Sequence, residues 1–259
     1  MTLNQTSNRG WATGFGNLMN KELRSWWGTR RWLVHLGLWL AIETGFILLI
    51  SLEGRHEMTP AKGLAETMQV FFQAGGFFAL IGAVLVTQGA IVGERSSGTA
   101  AWVLTKPTTR PAFVLSKFVA ITGTFLLLSL VVPAIGVLVV TKLIWHTLPA
   151  APHFLEALGI LALHQTFYIA LTLMLGTLFS SRGPVSGLAL GFWVAGNIAP
   201  NLLPKWIVLG MPWMLTQGAS AIATWQPLPA PLWIPAAATA GWIVLVLVVA
   251  VWRFGREEF

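Results

Sequence analysis

Long uninterrupted apolar runs dominate the chain, and its polar residues concentrate between them. A helix needs about 20 residues, at 1.5 Å per residue, to cross about 30 Å of hydrocarbon. Backbone groups inside lipid must bond within their own segment, which favours helices over open strands. Five runs reach the required length, and they are residues 32–52, 68–92, 118–141, 154–179 and 233–252.

A sixth run, residues 185–199, is shorter and is soon followed by Pro204. Residues 206–225 are also apolar, but Pro212 and Gly218 interrupt them. Because proline and glycine break a simple span, we interpret this stretch as a re-entrant or membrane-edge pair of short helices. The alternative is a seventh span.

The basic residues favour six spans over seven, because cytoplasmic loops carry an excess of lysine and arginine. Six spans with both termini in the cytoplasm put twelve cations inside and four outside, whereas seven spans give ten and six. We therefore predict an all-α polytopic membrane protein with six transmembrane helices in the cell membrane. The inner cations are Arg9, Lys21, Arg24, Arg30, Arg31, Arg95, Lys106, Arg110, Lys117, Arg182, Arg253 and Arg256, and the outer ones are Arg55, Lys62, Lys142 and Lys205.

The composition agrees with a membrane protein and excludes several chemistries. Of 259 residues, 55% are hydrophobic and only 10% are charged, with a mean hydropathy of +0.71. Soluble domains carry about 25% charged residues. The absence of cysteine excludes disulfides, thiolate metal sites and a catalytic thiol. The net charge of +7 fits basic cytoplasmic loops, so we expect a lipid bilayer and no nucleic acid as partner.

Residues 1–31 form a polar, basic segment before the first apolar run. Within it, Phe15–Trp27 (FGNLMNKELRSWW) puts aromatic and apolar side chains on one helical face and cations on the other. This pattern is typical of a helix in the headgroup layer, and we interpret it as an elbow before the first span. An ordinary juxtamembrane anchor is the alternative. The first run is too long for a signal peptide, so we divide the chain into a cytoplasmic segment, residues 1–31, and a transmembrane domain, residues 32–259.

The connector between the second and third runs, residues 93–117, has the sequence GERSSGTAAWVLTKPTTRPAFVLSK. Its Ser-Ser-Gly turn can end one helix and cap the start of another, which predicts a short helix over Thr99–Leu104. Pro107 ends that helix, and Pro111 is suited to the first turn of the next one. A short, stiff helix between two spans can receive force from a soluble partner. An ordinary charged loop is the alternative.

This connector resembles that of the permease subunit of type 2 ATP-binding cassette (ABC) exporters. In that family a glutamate-rich turn, a Gly-Thr pair and a Pro-x-x-Arg step surround a coupling helix that docks into the ATPase. The elbow, the six spans and the broken outer segment are also similar. Ser96 departs from the pattern, since the family usually has a second acid there. The residues that the resemblance assigns to ATPase coupling are Glu94, Gly98, Thr99, Trp102, Lys106, Pro107 and Arg110.

The resemblance implies a half-transporter that moves a substrate with a separate motor. The chain contains no G-x-x-x-x-G-K-[ST] phosphate cradle, so ATP and Mg are expected in a partner ATPase and not here. The chain itself is then a non-catalytic permease without a cofactor. Its partners would be a pair of ATPase subunits and a second copy of itself, or a homologous permease. The alternative is a structural or anchoring subunit of a larger membrane complex, and an intramembrane enzyme is disfavoured.

Polar residues inside the predicted spans have two interpretations. A charge at the bilayer centre costs at least about 2.5 kcal/mol, so such residues face protein or water. They either line a translocation surface or hydrogen-bond to a neighbouring helix, and we favour the second for the glutamate. No histidine has metal-ligand spacing, so no metal site is expected. The residues are Glu43, His35, His164 and Gln165.

Small residues recur at every fourth position in two of the runs, where another helix can approach closely. We expect them to pack within the chain, with a dimer seam as the alternative. The second run has Gly75, Ala79 and Ala83, and the shorter run has Gly183, Gly187, Gly191, Ala195 and Ala199.

Overall fold

The computed structural model describes residues 10–228 and 231–257, and every regular element within them is helical. Arg9 and the residues before it, part of the predicted cytoplasmic segment, lie outside the described residues. Two single-turn 3-10 helices, Ala199–Asn201 and Pro212–Met214, flank the short α9. The α-helices are α1 Phe15–Trp27, α2 Arg31–Gly54, α3 Pro60–Thr87, α4 Val92–Ser96, α5 Thr99–Leu104, α6 Arg110–Ile144, α7 Ala151–Leu178, α8 Arg182–Ile198, α9 Lys205–Leu209, α10 Leu215–Ala223 and α11 Trp233–Gly255.

Five of the described helical segments are long and apolar enough to cross a bilayer: α2, α3 with α4, α6, α7 and α11. They contain four of the five long predicted runs and all but the last residue of the run 154–179, and they extend most of them by a few residues, because the helices continue into polar flanks. The chain is therefore a helical membrane protein with several spans. The predicted sixth span corresponds to α8, which has 17 residues and is about 25 Å long.

Threonine caps fix where two of these helices begin. The Thr59 hydroxyl accepts a hydrogen bond from the backbone N–H of Lys62, at the start of α3. The Thr109 hydroxyl accepts one from the backbone N–H of Ala112, at the start of α6. A proline in the first turn of each helix provides the helical φ and has no N–H to leave unpaired.

Two of the long helices contain a π-helical segment, Leu40–Gly45 in α2 and Leu127–Val131 in α6. A π turn widens the helix and is frequent at functional sites. The first segment contains the buried Glu43, and the second contains the buried Ser129. Both departures from α geometry therefore occur where a polar side chain faces the bundle interior.

The central helix is α7, which packs against α3, α8, α10 and α11. Leu161 and Tyr168, two turns apart on the same face of α7, are fully buried. One end of the bundle holds α1, α5 and the end of α11, and we call it the connector end; the opposite end is the far end. Near the far end the ring of Phe72 lies 5.1 Å from that of Phe71 and 5.9 Å from that of Phe154.

The segment between α8 and α11 turns back into the bundle. After α9 the indole N–H of Trp213 donates to the carbonyl of Phe192, at 3.0 Å, so the chain has returned to the level of α8. Then α10 packs against α3 and α7 and leads to Trp225, whose ring lies 3.9 Å from that of His153. Residues 206–225 therefore do not form one continuous helix, because the chain breaks around Pro212 and α10 has only 9 residues.

The two stripes of small residues differ in what they contact. Gly75, Ala79 and Ala83 are buried inside the bundle. The α8 stripe is exposed, and a Cβ at its three glycines would meet no described atom within 4 Å. Our expectation of packing within the chain is wrong for this stripe, because α8 turns Val185 and Ala189 toward the bundle instead. The exposed residues are Gly183, Gly187, Gly191 and Ala195.

Replacing Gly63 by alanine should destabilise the far end. A Cβ there would lie 2.4 Å from the Trp145 ring, which a hydrogen bond to Thr67 holds in place. Overpacking costs about 1–3 kcal/mol, which exceeds the roughly 1 kcal/mol of helix propensity that alanine adds. The measurement is the temperature at which the detergent-solubilised protein loses monodisperse elution. Gly123→Ala is the matched control, since its Cβ meets no described atom within 4 Å, and equal shifts for both variants would contradict the packing.

Candidate functional site

The short helix α5 has one face fixed in the bundle and one face exposed. Ala100 and Val103 are buried against residues of α6, α7 and α11. Trp102, between them, is 61% exposed. The ammonium of Lys106 lies 4.0 Å from the centre of the Trp102 ring, in a cation–π contact. The helix therefore presents an aromatic ring and a positive charge on a fixed support.

The turn before α5 depends on a glycine. Gly98 has φ 70° and ψ 0°, in the left-handed region that costs other residues about 1 kcal/mol or more. The hydroxyls of Ser97 and Thr99 are 2.8 Å apart across the turn. The Ser96 hydroxyl donates to the carbonyl of Gly93, which completes the end of α4. Gly98 and Thr99 thus set the direction in which α5 leaves α4.

A buried lysine joins three helices at the connector end. The ammonium of Lys117, in α6, lies 2.7 Å from a carboxylate oxygen of Glu22 in α1 and 2.7 Å from one of Glu94 in α4. Lys21 also reaches Glu94, at 2.7 Å. The Lys117 side chain is only 2% exposed, and a charge in such a position must be paired. We call these four residues the ion cluster, and it fixes α1 and α4 to α6.

A second ionic contact joins α4 to two other helices. The Arg95 guanidinium donates to the carboxylate of Glu257, just after α11, at 2.8 Å. It also donates to the carbonyls of Thr177 and Phe179 at the end of α7, at 3.3 and 3.0 Å. Carbonyls at the end of a helix lack partners within it, so Arg95 satisfies two of them at the end of α7. Its bond to Glu257 also holds the end of α11 beside α7.

The start of α6 bonds to both ends of the described chain. Arg110 donates to the carbonyl of Gly255, at the end of α11. The Phe113 ring stacks on that of Phe254, with centroids 4.9 Å apart and planes 2° apart. The backbone N–H of Thr109 donates to the carbonyl of Thr13, at 3.1 Å. Both flanks of α5 are therefore bonded to the bundle.

The predicted coupling residues divide into two groups. Glu94 and Arg110 bond inward, and Gly98 and Thr99 form the turn, so these four hold α5 in position. The other three are exposed and face away from the bundle, namely Trp102, Lys106 and Pro107.

Sequence reasoning missed the ion pairs of the connector end. Lys117 was part of the connector pattern, but its pairing with Glu22 was not foreseen, nor was the pair of Arg95 and Glu257. The sequence did contain a signal for the pairing of Lys117. This lysine directly precedes an apolar run, and a lysine that is buried there needs a carboxylate partner. Glu22 is the one acid in the basic helix α1, which made it a candidate.

The polar residues within the spans do not form one site. Glu43 is 1% exposed, and neither carboxylate oxygen has a hydrogen-bond partner among the described residues, so the favoured hydrogen bond to a neighbouring helix is wrong. The carboxylate lies beside Gly75, where a Cβ would be 3.7 Å from each oxygen. Gln165 accepts from Ser129 at 3.3 Å, and the ring of His164 lies 5.0 Å from that of Tyr168. His35 lies apart from these, against Trp26.

The described residues contain no group of three or more His, Asp or Glu side chains that could hold a metal ion. His56 accepts a hydrogen bond from its neighbour Arg55, at 2.9 Å, and His153 packs on Trp225. These two histidines therefore have local contacts with neighbouring side chains.

The fold and the connector-end contacts define the class of protein: a polytopic helical membrane protein with a short helix fixed between two of its spans. Residues 42–259 match a family model described as "Protein of unknown function (DUF2705)", so the chain belongs to that family. No curated protein matches it. The matched region includes the connector and Lys117 but not α1, which supplies Lys21 and Glu22.

Replacing Lys117 by methionine should destabilise the protein strongly. Removing one partner of a buried ion pair costs about 3–5 kcal/mol, because the other charge is left uncompensated. Glu22 loses its 2.7 Å contact, while Glu94 keeps Lys21. We expect a lower apparent melting temperature in detergent and loosening of α1, measured by faster proteolysis near residue 28.

Lys62→Met is the matched control for this variant. Lys62 lies 3.9 Å from Glu66, and their side chains are 66% and 40% exposed. Exposed pairs contribute at most about 1 kcal/mol, so the melting temperature should change little. Equal effects of the two substitutions would show that burial of the ion cluster has no special importance.

Proposed function

We propose that this chain is the permease subunit of an ATP-driven ABC transporter of the type 2 exporter kind. The observation that carries the proposal is the exposed Trp102 on a helix whose opposite face is buried, with Lys106, just after the helix, in contact with its ring. A docking helix has to offer contact area and also resist displacement. The contacts of Ala100 and Val103 supply that resistance, and the likeness of the connector sequence to the type 2 pattern supports the same role.

Force on α5 has two routes into the bundle. Before the N-terminus of α5, Glu94 forms ion pairs with Lys117 in α6 and Lys21 in α1. After the C-terminus of α5, Arg110 donates a hydrogen bond to the end of α11. ATP binding would close a pair of separate ATPase subunits, and the motion of α5 would pass along these contacts to the spans. The chain itself contributes no catalytic group to ATP hydrolysis.

We infer that α8 is the sixth span and that both chain ends are cytoplasmic in the cell membrane. Seventeen residues are at the short limit of known spans, and the chain reverses after α8 before α10 begins. Eleven of the described basic residues then lie in or beside the cytoplasmic segments, as the positive-inside rule requires. The connector end is the cytoplasmic end in this arrangement.

The exposed stripe of α8 is the surface that a second permease would use. No described atom lies within 4 Å of a Cβ at Gly183, Gly187 or Gly191. Small residues at this spacing let two helix backbones approach closely. The assembly would contain two copies of this chain, or one copy with a homologous permease, and two ATPase subunits.

Trp102→Glu should abolish association with the ATPase while leaving the permease folded. The change adds a negative charge to the exposed face and removes the ring under Lys106. The tagged chain is purified from its native membranes in mild detergent, and bound polypeptides are identified and tested for ATP hydrolysis. Trp11→Glu is the control, because Trp11 is 67% exposed at the same end but lies outside α5.

We expect the unaltered chain and Trp11→Glu to carry a subunit with a phosphate-cradle motif, and Trp102→Glu to lose it with unchanged elution. An unaltered chain that retains no such subunit would contradict the permease role and favour a structural or anchoring subunit. Retention by Trp102→Glu at the level of the control would contradict the role of α5.

The topology is testable by labelling, because the chain has no cysteine of its own. Trp102→Cys and Arg256→Cys should react with a membrane-impermeant maleimide only from the cytoplasmic side. Leu202→Cys and Leu148→Cys should react only from the outside. Labelling of Trp102→Cys and Arg256→Cys from opposite sides would exclude six spans.

A further inference from the structure

A cavity of about 570 Å³ opens at the connector end, between α1, α2, α6, α8 and the turn that joins α3 to α4. The ion cluster forms one wall of this cavity. The other walls include Arg31, His35 and Arg182. The cavity therefore touches both the charged network of the connector end and the first residues of two apolar helices.

The cavity has an excess of positive charge. Four cationic side chains line it against two carboxylates, Glu22 and Glu94. Both carboxylates are already in contact with lysine, at 2.7 Å. The guanidinium groups of Arg31 and Arg182 have no ion pair or side-chain hydrogen bond within residues 10–228 and 231–257. The unpaired charge on the cavity wall thus comes from two arginines.

Both arginines are supported by neighbouring residues. A Cβ at Gly89 would lie 3.3 Å from Arg182 Nε and Cζ, so glycine here lets the guanidinium lie on the turn after α3. Arg31 lies 5.0 Å from the centre of the Trp26 ring, a cation–π contact that restricts it. His35, in the same cavity wall as Arg31, has a buried Nδ1 without a hydrogen-bond partner among the described residues.

The depth of the cavity indicates the ligand. Arg31 is the first residue of the candidate span α2, Arg182 is the first residue of α8, and Gly89 follows the end of α3. Apolar helices end where lipid headgroups begin, and basic pockets between helices at this depth bind anionic headgroups. Arginine is suited to the task, because its fork of N–H donors matches two phosphate oxygens.

We propose that this cavity binds the phosphate of an anionic phospholipid, with Arg31 and Arg182 as the charged donors and His35 as a polar neighbour. The phosphate bridges α2 and α8, two helices that the ion cluster does not join. It also neutralises the surplus positive charge beside Lys117. This site does not depend on the proposed ATP-driven function, because it rests on the cavity of the single chain.

The test is native mass spectrometry of the delipidated full chain, titrated with phosphatidylglycerol or with phosphatidylcholine of the same acyl chains. Hydrogen bonds to a charged group are stronger than neutral ones, so Arg31→Gln with Arg182→Gln should weaken phosphatidylglycerol binding at least about tenfold. Arg182→Lys retains the charge and should recover part of the affinity. Arg24→Gln with Arg256→Gln is the control, since both arginines are exposed at the same end and neither lines the cavity.

We expect one phosphatidylglycerol per chain, weaker phosphatidylcholine binding, and a loss only in the cavity variant. Elution and melting temperature verify that each variant is folded, and the exposed side chains of Arg31 and Arg182 make this the expected result. Equal binding of both lipids, or equal losses in the cavity and control variants, would overturn the proposal. Free glycerol phosphate that binds as tightly as phosphatidylglycerol would overturn the lipid as the source of the phosphate.

Discussion

The buried ammonium of Lys117 is the constraint on which the connector end depends. A charge that is 2% exposed is stable only while its carboxylate partners remain beside it, so α1, α4 and α6 cannot separate without a large cost in free energy. The short helix α5 lies between α4 and α6 in the chain, so the fixed positions of these two helices restrict its movement. Arg95 extends the same principle to α7 and α11. Five helices thus meet around a few ionic contacts in an otherwise apolar protein.

The two ends of the bundle are held by different kinds of interaction. The connector end uses ion pairs and hydrogen bonds to helix termini, which fix direction as well as distance. The far end uses aromatic packing around Phe71, Phe72 and Phe154, with α10 inserted beside it. Aromatic packing tolerates small sliding movements better than a buried ion pair does, because it is less directional. A rigid end and a more adaptable end would suit the proposed role, in which force arrives on one side of the membrane.

The sequence predicted local features well and long-range pairings poorly. The bounds of α1 and α5 agree with the predictions, because an amphipathic pattern and the punctuation by Gly98 and Pro107 act over a few residues. The pair of Lys117 and Glu22 spans 95 positions and depends on how the helices assemble. The glycine stripe predicted that α8 has a flat face, but it did not predict which surface packs against that face. The unpaired carboxylate of Glu43 was also unforeseen, since no local pattern indicates what a neighbouring helix offers.

The π-helical segments in α2 and α6 determine how tolerant these spans are of changes in length. A π turn contains about one residue more than an α turn, and one residue corresponds to a rotation of about 100°. If the same residues of Leu40–Gly45 adopted ordinary α geometry with none removed, one half of α2 would therefore swing around its axis relative to the other. Side chains that now face protein would turn toward acyl chains. Related sequences that form this π segment should consequently keep the same spacing between Arg31 and the second half of this helix, and those that lack it should be one residue shorter there.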